Sequence, residues 1–395
     1  MTRRIRRVFA LRLARTSALV VVLASSGALP GAAQDVPVVV PERDLVLGGI
    51  DVAEWQAFSR PPRVVPLGDG AAVLRSPGEP FVVVVDGAGR FVRQIGRQGQ
   101  GPGEFTGVVG VGMFADTLWL RDWSPPRASF FDVDGTLLET VAASVEYAER
   151  FTGPQGITSF LEGGGFVASP DAGVVGAGER STVPVVFGSR TNGTLDTVAT
   201  RVTPEGMVVR EIGYFAYTPI RRPPILAIDP HGRGFAVVRW EDDRSSGVDV
   251  EWFDSSGRPA RRYTVPHETQ VLANDVRRRL VAEGVELAEE PYLAARQRGD
   301  PVPRDLEDAV RDGLDLPRHW PPITDVFVSS LGHLWLRTTP QNGDHWIVLD
   351  RTGSPLIVVE EPDGVRFQAA DGGWVWGTWT DEFDVPYVGR FSITP

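Results

Sequence analysis

The chain has 395 residues, enough for a large core, and no cysteine, which excludes disulfides, thiolate metal sites and a cysteine nucleophile. The net charge is -11, and every one of the 40 basic residues is Arg, an acidic balance that argues against a nucleic-acid partner. The 44 Gly and 32 Pro are spread along the chain, which suits many short strands joined by tight turns and not a disordered protein.

The first 33 residues read as a targeting segment. Arg3, Arg4, Arg6 and Arg7 form a basic head, and residues 17–29 form an apolar stretch too short to span a membrane. Gly31 and Ala33 offer a cleavage site before Gln34. The alternative is a basic amphipathic tail that stays attached. Arg6-Arg7-Val8-Phe9-Ala10-Leu11 is similar to a twin-arginine signal, so the export route is open between folded and unfolded passage. Cleavage predicts a periplasmic or secreted protein with no stable membrane insertion.

Next comes Asp44-Leu45-Val46-Leu47, a strand with no hairpin of its own. Six repeats follow, at residues 63–96, 108–141, 165–202, a fourth holding the runs 234–239 and 250–254, then 323–359 and 365–393. Each places an apolar run after a short first segment, then a second run ending at an Asp- and Gly-bearing turn. Leu118-Trp119-Leu120-Arg121 with Phe130-Phe131-Asp132-Val133-Asp134-Gly135 is one instance. Leu334-Trp335-Leu336-Arg337 with Val348-Leu349-Asp350-Arg351-Thr352-Gly353 is another. Four strands per repeat, A to D, cannot bury both faces of one sheet, whereas sheets packed around an axis can. The predicted fold is all-β, a six-bladed propeller over residues 34–395. The sixth repeat ends after its third strand, so residues 44–47 are expected to supply the missing one and close the ring; the alternative is a flexible leader.

The pattern breaks between the fourth and fifth repeats. Leu272, Val276 and Leu280 recur at helical spacing, and residues 305–314 suggest a second helix, with Pro301 and Pro303 between them. Residues 267–315 are therefore a predicted helical insertion over one face of the disc, either a contact for a partner in an envelope complex or a decoration.

The run Gly96-Arg97-Gln98-Gly99-Gln100-Gly101-Pro102-Gly103-Glu104-Phe105 resembles the end of an NHL-type repeat, in the form found in exported bacterial six-bladed propellers. The Leu-Trp-Leu-Arg phrases resemble that group too. The resemblance implies the fold over nearly all of the mature chain and no particular reaction. Propellers of related architecture include metal-dependent lactonases and lyases, which gives a rival reading as an enzyme with an axial metal. No three of the five His are expected at one point, no Gly-x-Ser-x-Gly phrase is present, and no cofactor or metal is expected.

The candidate site is a set of arginines. Arg75, Arg121, Arg239 and Arg337 each end strand B of a different repeat, so a closed ring places them on one rim. Arg63 and Arg366 add to them from axial strands, with Asp325 on a third. Trp123, Trp240 and Trp320 are candidate apolar walls, while Trp119 and Trp335 belong to the blade core. Guanidinium forks suit carboxylate or phosphate, so the predicted ligand is a small anion or an acidic segment of a protein partner. The structural alternative pairs each Arg with a group on the neighbouring blade.

Overall fold

The computed structural model describes residues 36–122, 124–142, 157–168, 181–190, 195–203, 207–215, 217, 219–220, 223–241, 247–267, 270–339 and 345–393. Its predicted leader, residues 1–33, lies outside them. Two N-terminal strands come first, β1 (Val38–Val39) and β2 (Glu42–Leu47). Blade 1 is β3 (Arg63–Gly68), β4 (Ala71–Arg75), β5 (Val82–Val85) and β6 (Phe91–Ile95). A short parallel pair, β7 (Arg97–Gln98) and β8 (Glu104–Phe105), leads to blade 2, made of β9 (Val108–Phe114), β10 (Thr117–Asp122), β11 (Arg127–Asp132) and β12 (Leu137–Ala142). Blade 3 is β13 (Ile157–Phe160), β14 (Gly165–Ala168), β15 (Ser181–Ser189) and β16 (Leu195–Thr203).

The hairpin β17 (Met207–Val209) and β18 (Gly213–Phe215) precedes blade 4, made of β19 (Ile225–Ile228), β20 (Gly234–Arg239), β21 (Gly247–Asp254) and β22 (Pro259–Pro266). Helices α1 (Asn274–Arg298) and α2 (Leu306–Leu314) intervene. Blade 5 is β23 (Ile323–Val328), β24 (Leu334–Thr338), β25 (His345–Leu349) and β26 (Pro355–Glu360). Blade 6 is β27 (Arg366–Asp371), β28 (Trp374–Thr380) and β29 (Pro386–Ser392), completed by β2.

A blade is covered on both faces, so its middle strands are apolar throughout and do not alternate. Strand β5 is four valines, all buried. Val82 and Val84 pack toward blade 2, and Val83 and Val85 toward blade 6. Each of the six blade interfaces has its own apolar cluster, including the one joining blade 6 to blade 1 through Trp376, Val388, Leu74 and Leu47. Trp119 and Trp335 lie within such clusters, as their place in the repeat predicts.

The ring is closed by the N-terminal strand. Strand β2 runs antiparallel to β29, with Leu47 opposite Val388 and Glu42 opposite Ser392. This removes a raw edge from blade 6. Strand β1, not anticipated from sequence, adds a parallel fifth strand to blade 5 with Val38 opposite Val358.

The glycine-rich run after β6 behaves as its composition requires. Gly99 and Gly103 take φ of 151° and 71°, where side chains are disfavoured. The Glu104 carboxylate holds the loop by accepting from the Gly101 amide at 2.9 Å and from Arg97 Nε at 3.0 Å. Phe105 is fully buried between blades 1 and 2.

The outer hairpin turns repeat one chemistry. Asp86, Asp132, Asp254 and Asp350 each accept the amide four residues on, at 2.9, 2.7, 3.1 and 2.9 Å. The intervening Gly89, Gly135, Gly257 and Gly353 all have positive φ. All four carboxyls sit below the usual aspartate range. For Asp86 and Asp132 the leading cause is the backbone amide of Arg90 or Thr136; for Asp254 and Asp350 burial pulls upward and the hydrogen bonds outweigh it. A lowered folded pKa contributes stability that is present above the unfolded value of 3.8 and is lost as pH falls through the folded value. The urea midpoint is therefore expected to fall as pH drops below about 4. Replacing Asp254 and Asp350 together by Asn should flatten part of that fall, and an unchanged slope in the double variant would contradict this origin.

The insertion lies between blades 4 and 5, as predicted. It leaves and returns through a stem in which Leu272 N donates to the Arg318 carbonyl at 3.0 Å and Trp320 N to the Gln270 carbonyl at 2.8 Å. The Asp305 side chain caps α2 by accepting from Asp308 N at 3.0 Å. Both helices pack on β17 through Met207, Val209, Val281, Ala288, Val310 and Leu314. That cluster contains no blade residue, so the two connections flanking blade 4 join into a cap with its own small core.

Candidate functional site

Strand order within each blade fixes two rims. The turns joining first to second strands and third to fourth strands lie on one. The loops joining second to third strands, and the blade-to-blade connections, lie on the other. Arg75, Arg121, Arg239 and Arg337, at the ends of β4, β10, β20 and β24, all reach this second rim. His231 and His333 lie in first-to-second-strand turns, on the opposite rim.

The four rim arginines share a height but not an environment. Arg337 is buried, and its Nε donates to Glu361 Oε2 at 2.6 Å. The other oxygen of Glu361 accepts from Trp346 Nε1 at 3.1 Å and from the Phe367 amide at 2.8 Å. Arg239 pairs with Glu251 at 2.9 Å and donates to the Val198 carbonyl of blade 3 at 2.8 Å. Arg121 is half-buried and stands opposite Gly110 of β9. Arg75 is half-buried; its Nη1 donates to the Val108 carbonyl at 3.0 Å, and its Nε is buried with no hydrogen-bond acceptor among the described residues.

The axial positions separate the blades further. Strand β3 touches β9 and β27, and β23 touches β19 and β27, so the first strands ring the axis. In blades 2, 4 and 5 the first residue of this strand is a buried Val108, Ile225 or Ile323. Arg366 and Arg63 open the inner strands of the adjacent blades 6 and 1, and both are exposed. By register the residue facing the rim arginine of the second strand is Arg63 in blade 1, Gly110 in blade 2 and Asp325 in blade 5.

Around Arg63 the charges gather. Arg63 stands directly opposite Arg75 in the β3–β4 pairing. Arg60, exposed, precedes it by three residues. Burial pulls the Arg75 guanidinium below the usual arginine range, and the charges of Arg63 and Arg60 pull it further. Arg63 is wetted yet enclosed by the blades; desolvation lowers it and the carboxylate of Asp325 on β23 acts the other way. Asp325 Oδ1 also accepts the Val326 amide at 2.9 Å. Among the described residues neither Arg60 nor Arg63 makes a side-chain hydrogen bond or an ion pair. Arg366 lies 3.7 Å from Glu361, which Arg337 already engages.

Gln368 fastens this corner. Its Oε1 accepts from the Val64 amide at 3.1 Å, and its Nε2 donates to the Pro62 carbonyl at 2.9 Å, clamping β27 to the start of β3. Arg60 and Gln368 are not among the residues that the repeat pattern marks. A signal for Arg60 was present, because Pro-Pro precedes three of the first strands, at Pro61-Pro62, Pro223-Pro224 and Pro321-Pro322. Arg60 and Trp320 hold the equivalent place before it. For Gln368 no sequence signal existed, since its partners lie about three hundred residues away, in the first blade.

Of the candidate aromatic walls, Trp240 is half-buried against the blade 4–5 cluster, and Trp320 is half-buried at the stem with an indole N–H that has no acceptor among the described residues. Trp123 lies outside the described residues. Among the described residues no three His, Cys, Asp or Glu side chains come together as a metal cage. Asp122, at the end of β10, is fully buried and accepts from Thr106 Oγ1 at 2.8 Å and from the Thr106 amide at 3.1 Å, holding the connection to blade 2.

The fold is a six-bladed propeller, with Arg60, Arg63 and Arg366 at the start of blades 1 and 6 and Arg75 opposite Arg63. No family model matches the chain, and no curated protein matches it. Among solved structures it is similar to a member of the DUF4221 family from Bacteroides vulgatus, at 9% identity and a TM-score of 0.47, with 90% of this chain and 98% of that one covered. A protein of Bacteroides fragilis described as exported is similar at 10% identity and a TM-score of 0.44, with 90% and 96% covered. Virginiamycin B lyase from Staphylococcus aureus is similar at 8% identity and a TM-score of 0.38, with 89% and 99% covered.

Proposed function

We propose that this protein is an exported binding module whose basic mouth takes an anionic ligand, either a small molecule or an acidic segment of a partner protein. The supporting observation is the pairing of Arg63 with Arg75 across adjacent strands beside the exposed Arg60, with the exposed Arg366 opening the neighbouring inner strand. Like charges held this close repel one another, and a bound anion lowers that repulsion. The working residues are Arg60, Arg63, Arg75 and Arg366, with Asp325 limiting the positive charge from across the channel. Arg121, Trp240 and Trp320 extend the same rim. Among the described residues no helix is long and apolar enough to cross a membrane. Export rests on the leader, and mass spectrometry of protein recovered outside the cytoplasm should place the mature start at Gln34.

A fluorescent oligo-glutamate peptide tests the mouth. Arg63→Ala with Arg366→Ala is expected to weaken its binding by at least about tenfold, since a hydrogen bond to a charged group contributes about 1.5–3 kcal/mol. Both side chains are exposed, so the melting temperature should hardly change. Undiminished binding in the double variant would sink the reading. The rival is a metal-dependent enzyme of lactonase-like or lyase-like type. Elemental analysis separates the two, because stoichiometric calcium or zinc in purified protein would favour the enzyme.

A further inference from the structure

Resting on the anion-binding reading of the mouth, we propose that its corner at blades 6 and 1 is built for a doubly charged anionic group, a phosphate monoester or a dicarboxylate, and discriminates against monoanions. Three guanidinium groups are brought together there by backbone geometry. Arg63 and Arg75 are paired across adjacent strands, and Arg60 reaches the same charge environment across the Pro61-Pro62 bend. Arg366 comes from the neighbouring inner strand, next to the Gln368 clamp on Pro62. Among the described residues the nearby acids are Glu361, engaged by Arg337, Trp346, the Phe367 amide and, at 3.7 Å, by Arg366 itself, and Asp325, which faces the group from blade 5.

A monoanion cancels one of these charges and leaves the rest repelling one another. A dianion relieves more of the mutual repulsion, and its several oxygens can meet more than one fork at once. Each guanidinium offers five N–H donors and no acceptor. Among the described residues the Arg75 side chain gives only its Nη1 to a protein acceptor, the Val108 carbonyl. Without a ligand the group stays in place because Arg75 is tied to blade 2 and Gln368 ties blade 6 to blade 1. The enclosure that lowers Arg63 also thins the water around a bound anion, so charge complementarity counts for more there than on an open surface.

Calorimetric titration of the whole protein with matched probes at constant ionic strength tests this. Sulfate, methyl phosphate and succinate are the dianions; methyl sulfate and acetate are the monoanions. The dianions are expected to bind at least about tenfold more tightly than the monoanions, a difference of about 1.4 kcal/mol. The tightest of the three identifies the source. A phosphate site shows methyl phosphate strengthening from about pH 5 to about pH 7 as its second proton leaves, while sulfate stays level. A dicarboxylate site prefers succinate. Arg60→Gln and Arg63→Gln should each weaken sulfate by about fivefold, through loss of one charge-assisted contact. Equal affinity for sulfate and methyl sulfate overturns the dianion proposal and leaves the anionic mouth standing. Silence from all the small anions overturns it too, and the oligo-glutamate titration then decides the mouth itself.

Discussion

Arg390→Ala is expected to lower the stability of the ring by about 3 kcal/mol, read as a fall in the urea midpoint with little change in slope. Arg390 sits on β29 and is buried. Its Nε and Nη2 donate to the two oxygens of Asp44 on β2, both at 3.0 Å, and its Nη1 donates to the carbonyls of Gly70 and Gly87 in blade 1 at 3.0 and 2.7 Å. Its guanidinium also lies 4.9 Å from the ring centre of Trp374. One side chain therefore binds the closing strand, the last blade and the first. Broken buried pairs cost about 3–5 kcal/mol; the lower end applies because Asp44 is 34% exposed and partly screened. Arg390→Lys keeps the charge but not the fork, and should fall between the two. A loss under about 1 kcal/mol for the Ala variant would mean that β2 is held by its ladder alone.

Glu361→Ala should be the more damaging change, by about 3–5 kcal/mol. The carboxylate is buried and serves Arg337, the Trp346 indole and the Phe367 amide together. Its loss leaves a buried guanidinium without its counter-charge and two donors without their acceptor. Glu361→Gln keeps an acceptor for the two neutral donors and should be milder. The same pair bears on function. Arg337→Ala is expected to reduce stability and to leave anion binding nearly as it was, the reverse of Arg63→Ala. Unfolding and binding measured on both variants would separate the arginine that holds blade 5 to blade 6 from the one that faces the channel. Weakened sulfate binding in a stable Arg337→Ala protein would contradict that division.

These two arginines show where reading along the chain stops. Arg75, Arg121, Arg239 and Arg337 end equivalent strands, and the repeat correctly places them on one rim. It does not distinguish them, because the Val108 carbonyl met by Arg75, the Val198 carbonyl met by Arg239 and the Glu361 carboxylate met by Arg337 come from other blades or connections, while Glu251, the second partner of Arg239, lies in the same blade as its arginine. Glu361 lies beyond the end of blade 5, and the Val198 carbonyl that meets Arg239 belongs to blade 3. Arg60 and Gln368 escaped notice for the same reason, since what makes them matter is the contact between the first and last blades.

Local chemistry was legible throughout. The Asp-x-x-Gly turns, the positive-φ glycines before Phe105, the tryptophans of the blade core and the place of the helical insertion all follow from residues close together in sequence. Such residues set the shape of one blade and the need for a neighbour to cover it. Which arginines stay open to a ligand was decided only by closure of the ring, because closure brings residues about three hundred positions apart into contact and so determines which charges are already answered.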